Sequence, residues 1–90
     1  MEKGNFVRSA AGRDEGDLFF VLAVQEDFLL LADGKRRKAA RPKAKKLRHV
    51  RLLHQEFDHP VIQKLQQGKP ASDRELRQAL AAFKGGITFG

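Results

Sequence analysis

Two apolar runs, Phe6-Val7 and Leu18-Phe19-Phe20-Val21-Leu22-Ala23-Val24, flank a polar segment bracketed by Gly12 and Gly16. Glycine reaches positive φ without a Cβ penalty, and Asp14 has a side chain that bonds its own turn backbone, so the segment reads as a hairpin loop between two strands. The first strand candidate covers residues 4–9 and the second covers Leu18 to Val24. The second is apolar at every position, with Leu18, Phe20, Leu22 and Val24 opposite Phe19, Val21 and Ala23. Such a strand must be covered on both faces, as in a strongly curled sheet or where an added element packs outside it.

The rest of the chain reads as additions to that hairpin. Gln25-Glu26-Asp27 is a short link into a third strand, Phe28 to Ala32. Asp33-Gly34 signals a tight turn, which returns Lys35, Arg36, Arg37 and Lys38 as a fourth strand. Pro42 interrupts after Arg41, Lys43-Ala44-Lys45-Lys46 is expected to loop, and Leu47 to Leu53 resumes as a short closing strand, irregular near His49. Five short strands in about fifty residues predict a small curled sheet or partly open barrel.

From His54 the period changes. A short helix is expected over Phe57 to Leu65, capped by Asp58 with Phe57 stapled on Ile62, and ended by Gly68-Lys69-Pro70. Ser72-Asp73-Arg74-Glu75 is a capping-box pattern, and Leu76, Ala79, Leu80 and Phe83 recur on one face of the helix that follows. Gly85-Gly86 is expected to stop it, leaving Ile87-Thr88-Phe89-Gly90 as a frayed end or an edge strand. Residues 1–53 thus read as one small β-domain and 54–90 as a helical extension, packed on the barrel or contacting a partner.

Charge is where function enters. The net charge is +7, but residues 1–34 carry three basic and seven acidic groups, whereas residues 35–51 carry ten basic and none acidic. One seventeen-residue block therefore holds the excess and attracts polyanions, nucleic acid ahead of membrane because the nearby apolar residues are committed to a core. On a fourth strand, alternate residues would project cations about 6 to 7 Å apart, near the spacing of successive phosphates, and Lys43, Lys45, Lys46 and Arg48 would extend that face. Phe19 and Phe28 are the candidate stacking aromatics, although core use suits both.

Other chemistries lack their residues. The chain has no cysteine, tyrosine or tryptophan, and no phosphate-loop or dinucleotide fingerprint. His49, His54 and His59 recur every five residues, which matches no zinc-ligand spacing. Asp14 and Glu15 are adjacent on a turn, where carboxylates commonly face water, and turn geometry accounts for Asp14 without catalysis. No enzyme, metal or cofactor is expected. No apolar run reaches the roughly 18 residues of a membrane span, and Met1-Glu2-Lys3-Gly4 lacks a signal peptide's regions, so a cytoplasmic protein without membrane contact is expected.

The segment Phe6 to Gly16 with its following apolar strand, the Ala32-Asp33-Gly34 turn, and the run from Arg36-Arg37-Lys38 to Leu47-Arg48-His49 resemble bacterial KOW-domain RNA-binding proteins, which are similar to certain large-subunit ribosomal proteins of archaea and eukaryotes. The resemblance spans about residues 4–51. It implies a mainly β fold, a small SH3-like barrel of about five strands, that binds structured RNA, ribosomal RNA foremost. On the matching positions it nominates Arg8, Arg13, Lys35, Arg36, Arg37 and Lys38 as RNA contacts and Gly12 as the loop glycine, with Asp14 and Gly16 shaping the same loop. Arg41, Lys43, Lys45, Lys46 and Arg48 join the basic face by charge. Domains of this kind also bind proteins, so the alternative is an interaction adaptor in the translation or transcription machinery, docked through the Leu76, Leu80 and Phe83 face.

Overall fold

The computed structural model describes residues 1–53 and 59–87, with side chains described through Phe83. Strands β1 (Phe6–Ser9), β2 (Leu18–Gln25), β3 (Phe28–Ala32), β4 (Lys43–Lys46) and β5 (Val50–Leu52) form one antiparallel sheet in the order β4-β3-β2-β1-β5. Helices α1 (Pro60–Gln66) and α2 (Asp73–Ile87) follow. The molecule is mainly β.

The edge strands dictate the curl. Laid flat, β4 and β5 would stand about 19 Å apart at about 4.8 Å per strand. The chain passes from one to the other through a single 3₁₀ turn, Leu47–His49, whose rise is only about 6 Å. The sheet must therefore bend on itself. It does so without closing, because β4 and β5 are not hydrogen-bonded neighbours. A bulge helps: the β2/β3 register steps between Val21, opposite Leu31, and Ala23, opposite Leu30, leaving Leu22 as the extra residue and adding local twist.

This curl explains why β2 is apolar on both sides. Its inner face contributes Phe19 and Val21 to a core with Val7, Leu29, Leu31 and Val50. Its outer face places Phe20 with Phe6 and Ala32 under the helices, which supply Val61, Leu65, Leu76, Ala79, Leu80 and Phe83. Phe6 joins the layers, its ring centroid 4.1 Å from that of Phe20 and 4.2 Å from that of Phe83. Leu76 and Phe83 are 0% and 2% exposed. The helical face expected to hold a protein partner under the adaptor reading is thus spent on the molecule's own core.

Helix ends follow local chemistry. Ser72 Oγ accepts from the Glu75 amide at 3.1 Å while Glu75 Oε1 accepts from the Ser72 amide at 3.0 Å, a reciprocal capping box. Lys64 of α1 donates to both Glu75 carboxylate oxygens, at 2.9 and 2.8 Å, locking the two helices together. The N-cap of α1 is His59, whose Nδ1 accepts from the Val61 amide, with Pro60 in the first turn where its missing N–H matters least. The expected cap Asp58 and staple Phe57 lie outside the described residues. Helix α2 runs through Gly85-Gly86 to Ile87 instead of stopping there, and residues 88–90 are also outside the described set.

Two adjacent expectations are exchanged. The fourth strand is Lys43–Lys46, the segment expected to loop, while Lys35 to Lys38 lies in an irregular connection over residues 33–42. The reason is local hydrogen bonding. Asp33 Oδ1 accepts from the amides of Lys35 and Arg37, both at 2.9 Å, consuming donors that a strand ladder would need. The expected closing strand over Leu47 to Leu53 is likewise a 3₁₀ turn followed by three strand residues, with the irregularity at His49.

Candidate nucleic-acid interface

The loop between β1 and β2 is built around a half-buried carboxylate. Asp14 turns inward, its side chain only 12% exposed, instead of facing water. Its Oδ1 accepts from Ser9 Oγ at 2.7 Å and from Lys45 Nζ at 2.6 Å, and its Oδ2 pairs with Lys43 Nζ at 2.7 Å. Lys45 also donates to the Ala11 carbonyl at 2.7 Å. Burial pushes the Asp14 carboxyl up, but the hydrogen bonds from Lys43, Lys45 and Ser9 outweigh it and hold the group well below the usual carboxylate range. Gly12 sits at φ +85°, and a Cβ there would come within 3.5 Å of Lys45 Nζ.

The inner-face register produces this arrangement. Lys45 lies opposite Leu29 and Lys43 opposite Leu31, both core residues, so the two lysines point into the curl where the Asp14 loop folds over its open end. Lys43 and Lys45, both expected on the RNA-binding face, therefore both pair with Asp14, Lys45 from a buried position and Lys43 from a half-buried one. Lys46 alternates to the outer face and is exposed, as is Arg48 on the 3₁₀ turn.

The connection over residues 33–42 carries the exposed charge. Lys35, Arg36, Arg37, Lys38 and Arg41 are all exposed. The backbone beneath them is tied down from four directions: by Asp33, by the Gly34 amide donating to the Arg37 carbonyl at 3.1 Å, by Asp73 Oδ1 accepting from the Ala39 amide at 2.7 Å, and by Arg77 Nη1 donating to the Gly34 carbonyl at 2.7 Å. Opposing this cluster is Asp17, 3.5 Å from Arg36 Nη1 across an exposed pair that contributes little. Arg13, Arg36, Arg37 and Lys43 line one cavity of about 290 Å³ with Asp14, Asp17 and Phe19, which brings the tip of the first loop beside the basic connection.

Arg8 stands apart on β1, exposed on the outer face opposite Arg51 of β5. Two cations at the margin of the site, Arg51 and Arg77, were not among the residues the sequence nominates. Arg51 falls within the basic block, so its charge was visible, but its pairing with Arg8 depends on the β1/β5 register. Arg77 carried no signal in the sequence, because its target is a carbonyl 43 positions away.

Phe19 is 2% exposed and belongs to the core, whereas Phe28 is 38% exposed at the start of β3, beside Lys46 in register. Among the described residues no cluster of three or more histidine and carboxylate side chains could hold a metal ion, and no helix is long and apolar enough to cross a membrane. No protein-family model matches this chain, and no curated protein matches it in sequence.

Proposed function

We propose that this chain is a non-catalytic binder of structured RNA, ribosomal RNA foremost, built as a KOW-type, SH3-like barrel acting in the cytoplasm. The observation that carries the reading is the five exposed cations of residues 35–41 on a backbone held at both ends by helix α2. A cationic loop that is already ordered loses little conformational freedom on meeting phosphates, so its charge converts efficiently into affinity. The curled five-strand sheet, the glycine-bearing first loop and the 3₁₀ turn before the last strand support the barrel assignment. Arg8, Arg13, Lys46 and Arg48 extend the face. Lys43 and Lys45 serve it indirectly, by fixing the loop that presents Arg13.

Under this reading helix α2 is not a detachable tail. Helix α2 shapes the RNA-binding loop through Asp73 and Arg77. Titrating the purified chain against ribosomal RNA fragments at several salt concentrations tests the proposal: affinity should fall with salt at a slope of about −0.9 per phosphate contacted on duplex and about −0.7 on single strand. Absent binding, or binding indifferent to salt, would contradict it.

The adaptor reading draws on a different observation. Phe28 and Leu47, 38% and 39% exposed, both lie near the β2/β3 hairpin tip, Phe28 opposite Lys46 and the Leu47 amide donating to the Asp27 carbonyl at 2.7 Å. A protein partner of the translation or transcription machinery would dock there rather than on α2, and Phe28→Ser would abolish its capture while leaving RNA affinity intact.

A further inference from the structure

A groove of about 590 Å³ runs between the Lys35-Arg36 bend, the start of β2 and helix α2. Apolar Leu18 and Leu80 line it together with Lys35, Arg36 and Arg77. Asp17 and Asp33 also line it, the first beside Arg36 and the second bonded through Oδ1 to the Lys35 and Arg37 amides. In volume it falls within the roughly 300–1,000 Å³ usual for small-ligand sites.

The sheet register extends this groove on one side. Arg8 is the cross-strand partner of both Leu18 and Arg51, so a row runs Arg51, Arg8, Leu18 over β5, β1 and β2, with neighbours about 5 Å apart. Both arginines are exposed, and among the described residues neither has an acidic partner. Like charges directly opposite on neighbouring strands destabilise a sheet. Such a pair is relieved by an anion that both guanidinium forks can hold.

We infer that the groove receives one unpaired nucleotide of the bound RNA, its base against Leu18 and Leu80, with one flanking phosphate on the Arg8/Arg51 pair and the other on Lys35 and Arg36. This deepens the RNA-binding reading and rests on it. The side chains select the occupant: two sets of cations, Arg8 with Arg51 and Lys35 with Arg36, match consecutive phosphates, the apolar Leu18 and Leu80 suit a base face, and the remaining carboxylate oxygens accept hydrogen bonds from base amino and imino groups. A continuous duplex keeps its bases stacked and offers the groove nothing to insert.

Two RNAs and two variants test the assignment: a stem with an unpaired loop, a blunt duplex of equal length, Ala81→Trp and Arg51→Ala. Ala81 lines the groove from the exposed side of α2, so tryptophan fills the space without entering the core. Ala81→Trp should weaken loop-RNA binding about tenfold, the scale of one lost base contact, and leave duplex binding within about twofold. Arg51→Ala should weaken loop-RNA binding severalfold while leaving the melting temperature unchanged or raised, since it removes a like-charge pair. Retained duplex binding with loop affinity unchanged in both variants would overturn the groove assignment alone, as would equal losses on both RNAs. A parent chain that binds neither RNA would overturn the RNA-binding reading and this inference together.

Discussion

Gly34 and Arg77, 43 residues apart, are joined by a hydrogen bond of 2.7 Å from the Arg77 guanidinium to the Gly34 carbonyl. Gly34 holds φ +78°, and a Cβ on it would collide with the Asp73 carbonyl at the start of α2. The basic connection and the last helix are therefore fitted backbone to backbone. Gly34→Ala should cost about 2 kcal/mol or more, from positive φ and the clash together, lowering the melting temperature by about 8 °C or more in a circular dichroism melt. An unchanged melt would mean that the loop and helix are not in contact.

Removing the Asp14 carboxylate leaves Lys45, 8% exposed, with the Ala11 carbonyl but without a countercharge. Asp14→Ala should destabilise the chain by about 3 kcal/mol, the usual scale for orphaning a buried charge. Replacing the lysine of that pair by methionine along with Asp14→Ala should recover much of the loss. Chemical denaturation of the single and double variants checks both expectations.

Acid should act through two carboxylates. Asp14 lies well below its usual range despite burial, through Lys43, Lys45 and Ser9, and Glu75 is lowered from 4.5 to about 2 by the hydrogen bond from Lys64 and the Ser72 amide. Both groups are more acidic folded than unfolded. Their stabilisation is complete above about pH 4.5 and is lost as pH falls through the folded values. The melting temperature should therefore hold from pH 7 to 5 and fall from pH 4.5 to 2, with a shallower acid limb in Asp14→Asn.

Phe83 stacks on Phe6 and is 2% exposed. Phe83→Ala should cost about 3 to 5 kcal/mol by emptying the junction between sheet and helix. Because α2 also positions residues 33–42, limited trypsin digestion of this variant should cut after Lys38 faster than in the parent.

Much of the fold was legible where a pattern was local. The two-sided apolar run of β2 demanded cover on both faces, the Ser72/Glu75 box marked the start of α2, and the Leu76, Ala79, Leu80 and Phe83 spacing identified its buried face. The exchange of strand and loop between Lys35–Lys38 and Lys43–Lys46 was not legible, because distant partners decide it. Asp73 binds the Ala39 amide from 34 positions away, and Asp14 draws in Lys45 from 31. Alternating lysines carry the same signal whether they face solvent or a half-buried carboxylate, so charge alone could not separate buried Lys45 from exposed Lys46. Gly85-Gly86 misled for a related reason: a helix anchored by Leu76 to Phe83 tolerates glycines that would end an isolated one.

The exposed cations of residues 35–38, and not the inward lysines of β4, are proposed to hold RNA phosphates. The most direct measurement compares the salt dependence of RNA affinity for the parent with that of a variant carrying Lys35→Ala, Arg36→Ala, Arg37→Ala and Lys38→Ala, with folding verified by melting. The predicted result is an unchanged melt with a log–log slope shallower by about three to four on duplex RNA. An unchanged slope and affinity in a folded variant would contradict it.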